Sequence, residues 1–237
     1  MALVQIDNVS RIYQTGEVQV KALMDVTLSI EEASFVTFVG PSGSGKTTTL
    51  NLIGCLDKPT QGKIFVDGAQ VDGFDRRQSA AFRGATLGFI FQAFNLFPVL
   101  TAYENVEYPL VMIKNESASK RKEKVLKVLE SVGMLDQKDK FPDQLSGGQK
   151  QRVAVARALV TQPKLVLADE PTANLDKKSA VNVIRLMRNM RDEFNTTFIF
   201  STHDPGVMDE AEVIHTLEDG RLIDPNHSPT FVQEEKK

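Results

Sequence analysis

Gly40-Pro41-Ser42-Gly43-Ser44-Gly45-Lys46-Thr47 has the form G-x-x-x-x-G-K-[ST], in which glycines let successive backbone N–H groups turn inward around phosphate oxygens. Lys46 adds a point charge and Thr47 a hydroxyl suited to Mg²⁺. The flanks agree with this reading. Residues 35–39, Phe-Val-Thr-Phe-Val, read as a buried β-strand, and residues 48–54 as the start of a helix. Strand, glycine loop and helix in that order place the orphan N–H groups and positive dipole end of the helix against the anion. A flexible glycine turn is the plain alternative, and it leaves the flanking strand and helix unexplained.

Further along, Leu145-Ser146-Gly147-Gly148-Gln149 precedes a helix expected over about 150–159. A serine hydroxyl and glycine amides at a helix start form a second anion cradle, although the loop at 40–47 already holds a triphosphate. The economical arrangement gives each cradle to a nucleotide held by another copy, so that two subunits sandwich two ATP molecules head to tail.

Residues 165–168, Leu-Val-Leu-Ala, form a short apolar run of central-strand type that ends in Asp169-Glu170-Pro171. The two carboxylates thereby reach the C-terminal edge of the sheet, where doubly wound folds bind ligands. Asp169 can enter the Mg²⁺ shell and Glu170 can polarise a water beside the γ-phosphate. Pro171 disfavours a helical conformation at Glu170, so an extended chain is expected there. Without the phosphate loop this segment would be an ordinary charged strand-to-helix turn. Gln92 and His203 follow strands ending at Phe91 and Ser201, and so project from the same edge. A neutral imidazole at 203 can bridge the γ-phosphate to backbone, and the Gln92 amide can sense metal and water. His215 and His227 read as ordinary polar residues.

Composition narrows the remaining classes. The chain has 237 residues and a net charge of −3, with a pI of about 5.7, so no global positive field exists to attract nucleic acid or an anionic bilayer. Cys55, the single cysteine, has no partner for an internal disulfide and reads as a small buried thiol. The first residues alternate like a strand and lack the basic and apolar regions of a signal peptide. No stretch approaches the roughly 18 apolar residues of a spanning helix, so a membrane role would come through a partner.

The opening third reads as β-rich, with strands at 3–9, 26–30, 35–39 and 63–66 and turns at Gly16, Asp67-Gly68 and Asp72-Gly73. A further strand is expected at 86–91, after which residues 93–160 are mostly helical. Val125, Val128, Leu129 and Val132 make an apolar stripe beneath the solvated run at 120–124. Strands return at 164–169 and 197–201, around an amphipathic helix bearing Val183, Leu186, Met187 and Met190. Alternating strands and helices imply an α/β fold with a mainly parallel, covered sheet, into which the helical stretch is inserted. Residues 225–237 read as a polar tail.

Taken together, these motifs resemble the nucleotide-binding subunit of an ATP-binding-cassette (ABC) transporter over essentially the whole chain. The resemblance implies a phosphate-loop NTPase core, a single domain at 1–230 with its core at 1–92 and 161–224, an N-terminal antiparallel β subdomain and a helical signature subdomain at 93–160. By the same likeness Gly40 to Thr47, with Thr48, correspond to the Walker A loop and Gln92 to the Q-loop. Ser146, Gly147, Gly148 and Gln149 with Leu145 correspond to the family signature, and Asp169 closes Walker B. Glu170 falls on the catalytic glutamate, Asn174-Leu175-Asp176 on the D-loop, His203 on the switch histidine and Tyr13 on the aromatic that stacks on adenine. Asn174 departs from the small residue found in many members. Three further runs, at 13–23, 53–60 and 91–98, resemble the MacB, LolD and FtsE group, whose ATPases work with membrane subunits carrying large extracytoplasmic domains.

This likeness implies an ATPase using ATP and Mg²⁺ that dimerises with a second copy of itself and is held on the cytoplasmic face of a membrane through an integral permease subunit. Phe94, Leu96, Phe97 and Leu100 offer an apolar set for docking that subunit, with a satellite core under the helical subdomain as the alternative. Two other classes stay open. A soluble cassette acting on ribosomes or DNA usually carries tandem cassettes or a coiled-coil insertion, and a small-molecule phosphotransferase would have no use for residues 145–149.

Overall fold

In the computed structural model residues 2–16, 18–114 and 116–223 are described; Glu17 and the tail expected at 225–237, with His227, lie outside them. The chain opens with β1 (Ala2–Thr15) and β2 (Val18–Glu31), an antiparallel pair. Both are longer than the sequence pattern indicated, because register shifts between Ile6 and Ile12 let pairing continue through irregularities that break the period-2 alternation. β3 (Phe35–Val39) then runs into the phosphate loop and α1 (Lys46–Ile53). β4 (Gln61–Val66) pairs with the other edge of β1 and turns into β5 (Ala69–Gln70). That turn places Asp67 at φ 51° and Gly68 at φ 74°, the pair of left-handed residues a tight two-residue hairpin needs.

The second half builds a different sheet. α2 (Arg76–Thr86) leads into β6 (Leu87–Phe91), and the helical stretch follows as α3 (Ala102–Pro109), a π-helical turn at Leu110–Lys114, α4 (Ala118–Ser131) and α5 (Gly147–Leu159). The chain then continues through β7 (Leu165–Asp169), α6 (Lys177–Phe194), β8 (Thr197–Thr202), α7 (Pro205–Met208), β9 (Val213–Glu218) and β10 (Arg221–Ile223). The six-stranded sheet has the order β10-β9-β3-β8-β7-β6, parallel except for β10 at its edge.

Alternation along β7 shows how the layers are held. Val166 and Ala168 face a core shared with α3 to α6, while Leu165 and Leu167 face a second core shared with α1 and the antiparallel sheet. Leu50, Leu52 and Ile53 put α1 inside that second core, between the two sheets. Burying each such side chain contributes about 1.5–3 kcal/mol, which explains why a strand with both faces covered is apolar at consecutive positions.

Several local features differ from expectation. α5 starts at Gly147 rather than at Lys150, because Ser146 and Gln149 form a capping box that draws both glycines into the first turn. α2, β9 and β10 were not legible in the pattern. On α4 the stripe at Val125, Val128 and Leu129 is buried, with Val132 at the C-cap, and from the charged run Arg121 pairs with Glu107 at 2.8 Å and Lys124 with Glu116 at 2.6 Å.

Candidate functional site

The loop after β3 takes a shape open only to glycine at two positions. Gly40 and Gly45 sit at φ 147° and 103°, and a Cβ on either would lie 2.0 Å from the Leu217 carbonyl oxygen or 2.6 Å from that of Ala22. Lys46 is 6% exposed, and its ammonium donates to the carbonyl oxygens of Gly40 and Pro41, both at 2.8 Å. Burial pushes the Lys46 pKa down, while the neighbouring Glu170 and Asp169 carboxylates pull it upward. α1 begins on Gly45 with no side-chain cap and no acidic residue in its first turn. By contrast α2, α3, α5 and α6 each start on a side chain that accepts a backbone N–H. The N-terminus of α1 therefore keeps its orphan donors and positive dipole end free, and the buried Ser44 hydroxyl beside it has no hydrogen-bond partner. Unmet donors in a glycine cradle fit a phosphate chain.

Parallel register brings the remaining groups to the same edge. Val39 pairs with Thr202, Ala168 with Phe200 and Phe91 with Asp169, so β3, β8, β7 and β6 end together. There Thr47 Oγ1 donates to Asp169 Oδ1 at 3.1 Å, and Ser201 Oγ donates to the same oxygen at 2.7 Å. The Ser201 hydroxyl also accepts the Glu170 N–H at 2.8 Å, and His203 Nδ1 lies 3.3 Å from Glu170 Oε1. Glu170 is not extended as expected: its φ is 43°, in the left-handed region. Its N–H is tied to Ser201 and its carbonyl accepts from Ala173 N–H at 3.2 Å, so the chain must turn at this residue. Pro171 disfavours the right-handed helical region, and the turn uses the left-handed one, a strain of about 1–3 kcal/mol. Among the described residues no three His, Cys, Asp or Glu side chains gather as a metal cluster. Thr47 and Asp169 instead offer two oxygens to a hard cation that takes its other ligands from substrate and water.

The glycine-rich pentapeptide lies elsewhere in the chain. Ser146 Oγ accepts the Gln149 N–H at 3.3 Å, Gly147 abuts Leu175 and Gly148 abuts Ser179. Among the described residues no hydrogen bond joins 145–149 to 40–47. Asn174 Nδ2 donates to the Gln92 carbonyl oxygen at 2.9 Å, linking the turn after β7 to the end of β6, while the Gln92 side chain is exposed. Arg157 of α5 donates to the carbonyl oxygens of Phe94, at 2.8 Å, and Asn95, which holds two residues at φ 59° and 49°. Asn105, fully buried on α3, accepts the Phe97 N–H at 2.8 Å and donates to the Phe97, Leu100 and Thr101 carbonyls.

Sequence reading missed Ser201, Arg157 and Asn105. Ser201 had a local signal in its place near the end of β8, whereas Arg157 and Asn105 lie within α5 and α3 and reach partners outside their helices. Of the apolar set, Leu96 packs on the helical core, whereas Phe97 is 41% exposed and meets Tyr108 at a tilt of 49° with ring centroids 4.8 Å apart. Phe97, Phe91, Arg83, Met112 and Ile113 line an open groove of about 770 Å³.

Tyr13 is half-buried on β1. Its hydroxyl donates to Asp57 Oδ2 at 2.7 Å, and the Arg11 guanidinium carbon lies 4.4 Å from its ring centroid.

Residues 23–173 match the family described as ABC transporter. The chain belongs to that family. It is an ABC ATP-binding domain, an ATPase. An uncharacterized ABC transporter ATP-binding protein of Methanocaldococcus jannaschii is 43% identical over 93% of this chain and 95% of its own. The lipoprotein-releasing system ATP-binding protein LolD of Bordetella pertussis is 41% identical over 92% of this chain and 94% of its own. Among solved structures, a dimeric ATP-binding cassette in a post-hydrolysis state with ADP and Pi matches with a TM-score of 0.84 and 42% identity, covering 93% of this chain and 97% of that one. In this ABC ATPase domain the phosphate loop and the acidic edge meet at the contact between Thr47 and Asp169.

Proposed function

We propose that this ATPase energises a membrane transporter or mechanotransmission complex of the MacB, LolCDE or FtsEX kind, by closing head to tail with a second copy around two ATP molecules. The observation that carries the reading is the separation of two complementary halves within one chain. The phosphate loop has donors to spare at the start of α1, and the signature at the start of α5 makes no hydrogen bond to it. Ser146 accepts from Gln149 yet keeps its own O–H proton, a donor for a γ-phosphate held by the other subunit. The solved dimeric cassette with ADP and Pi supports this geometry.

In this arrangement residues 40–48 hold the phosphates and Tyr13 carries the adenine. Thr47, Asp169 and Gln92 are the groups that would hold Mg²⁺, which neutralises charge on the β- and γ-phosphates when bound. Glu170 accepts a proton from the attacking water, and His203, in contact with Glu170, orients the γ-phosphate. Residues 93–160 act as the helical signature subdomain. Asn174 and Arg157 connect this chemistry to the loop after Gln92 and to the Phe97 groove, where the permease docks. The partner in this reading is a permease with an extracytoplasmic domain, and the ATPase sits on the cytoplasmic face of the membrane; similarity to the ATP-binding protein of a lipoprotein-releasing system supports a membrane partner. No helix among the described residues is long and apolar enough to cross a membrane.

Sedimentation with Mg-ATP tests the reading. Glu170→Gln should lose about 10²–10⁴ in turnover and accumulate as an ATP-bound dimer. Ser146→Arg should bind nucleotide but stay monomeric, whereas Lys46→Ala should bind nucleotide poorly. A Ser146→Arg protein that dimerises like wild type would sink the sandwich.

A further inference from the structure

Asp57 accepts four hydrogen bonds, three of them from two residues of β1. Its Oδ1 takes Arg11 Nη2 at 2.8 Å and the Lys58 N–H at 2.7 Å, and its Oδ2 takes Arg11 Nε at 2.9 Å and the Tyr13 hydroxyl at 2.7 Å. Every lone-pair direction of the carboxylate is used, and the Arg11 fork is bidentate. The guanidinium that makes the fork also covers one face of the Tyr13 ring. Asp57 in turn is fastened to α1, since the Leu56 and Asp57 N–H groups both donate to the Asn51 carbonyl oxygen, at 2.9 and 3.2 Å. One end of α1 forms the phosphate cradle and the other end grips an aromatic ring in the antiparallel sheet.

We propose that Arg11 and Asp57 are positioning residues for the nucleobase: they lock the Tyr13 ring at a fixed place relative to the phosphate loop, with one face covered by Arg11 so that the purine stacks on the other. This rests on the assignment of Tyr13 to adenine. The energetic reason is rotamer entropy. An unclamped tyrosine near a hairpin tip must be immobilised when the base arrives, whereas a ring already fixed by Asp57 has been ordered by folding. Pre-ordering one such side chain is worth about 2- to 12-fold in affinity. The clamp contributes to binding of the base and adds nothing to binding of the phosphates.

Isothermal titration with ADP and with inorganic pyrophosphate separates these two terms, because both fill the phosphate loop, neither is hydrolysed by this ATPase, and only ADP carries a base. Asp57→Asn and Arg11→Met should each weaken ADP by about 3- to 10-fold and leave pyrophosphate within about twofold of wild type. Tyr13→Ala should weaken ADP at least as much, and adding Asp57→Asn to it should cost no more, since the clamp then holds nothing. Equal losses for ADP and pyrophosphate in both clamp variants would overturn the proposal, placing the bridge in the support of the loop or fold. Unchanged ADP affinity in the clamp variants, with Tyr13→Ala impaired, would overturn it while leaving Tyr13 as the adenine platform. Unchanged ADP affinity in Tyr13→Ala would remove the platform and the clamp together. If Asp57→Asn melts below the assay temperature, Arg11→Met decides the matter, as it keeps an apolar stem over the ring.

Discussion

Ser201→Ala removes one hydroxyl at the end of β8 and breaks two hydrogen bonds at once. The side chain is fully buried, donates to Asp169 Oδ1 at 2.7 Å and accepts the Glu170 N–H at 2.8 Å. A hydrogen bond to a charged group is worth about 1.5–3 kcal/mol, and stranding a buried N–H costs about 1–3 kcal/mol. The Glu170 N–H is only part-buried, so the lower end of each range applies and the sum is about 2.5 kcal/mol. For a chain of this size that lowers the melting temperature by roughly 5–10 °C.

The larger effect falls on turnover. Glu170 is held at φ 43°, a conformation costing about 1–3 kcal/mol that persists only while its surroundings over-determine it. Releasing its N–H lets the carboxylate, the proposed proton acceptor, relax, and a displacement of about 1 Å at a reacting group costs about 10²-fold in kcat. Steady-state phosphate release should show kcat down by about that factor with KM for ATP almost unchanged, because no residue of 40–47 hydrogen-bonds to Ser201. A Ser201→Ala protein that melts early yet turns over at the wild-type rate would refute the reasoning, since Glu170 would then keep its place without the bond.

Acidification should expose a second dependence. Arg191 on α6 makes a bidentate bridge to Glu212, at 2.6 and 2.7 Å, which holds the Glu212 pKa below the ordinary carboxylate value. The bridge therefore contributes fully above the unfolded pKa of about 4.3 and is lost as pH falls through the lower folded value; Glu212→Gln should melt lower than wild type at pH 7, with the gap closing on acidification, as followed by circular dichroism. Burial pushes the Cys55 thiol up to about 11, so iodoacetamide at neutral pH should label it only after denaturation, as read by mass spectrometry. Phe97→Ser should keep basal ATPase activity and lose co-purification with the membrane fraction, whereas Leu96→Asn should destabilise the fold by about 2 kcal/mol, a drop of about 4–8 °C in melting temperature, because Leu96 packs on the helical core.

Much of the architecture was legible because its determinants are local. The run at 35–39, the glycine loop and the apolar run at 165–168 each specify their conformation from neighbouring residues, and the parallel sheet follows from their alternation with helices. Elements were missed where local pattern is weak. α2 buries only Ser79 and Thr86, so no apolar stripe announces it, although the Asp75 and Gln78 capping box was visible in principle. The hairpin of β1 and β2 outran its alternating segments because the irregular pairing near Ile6 to Ile12 shifts which residues face inward. Glu170 shows a different limit: the residue before a proline is biased by sequence, but Ser201, a residue of another strand, fixes its conformation.

The same distinction runs through the site. Phosphate-loop residues are recognisable because their backbone torsions depend on glycine at set positions, which a five-to-eight-residue pattern records. The groups that hold them are common polar types with partners far along the chain. Arg157 reaches back 63 residues to Phe94, and Asn174 reaches 82 residues to Gln92. Nothing in the residues around Arg157 or Asn174 distinguishes such a side chain from a solvated one. The signature lies between these cases. Its spacing marks a capped helix start, and in the folded chain Gln149 does satisfy Ser146 as an acceptor. What survives capping is the serine O–H and the first N–H groups of α5, donors with no acceptor in the phosphate loop of their own chain. On the proposed head-to-tail closure those donors meet a nucleotide held by a second subunit, which is how five residues can point beyond the chain that contains them.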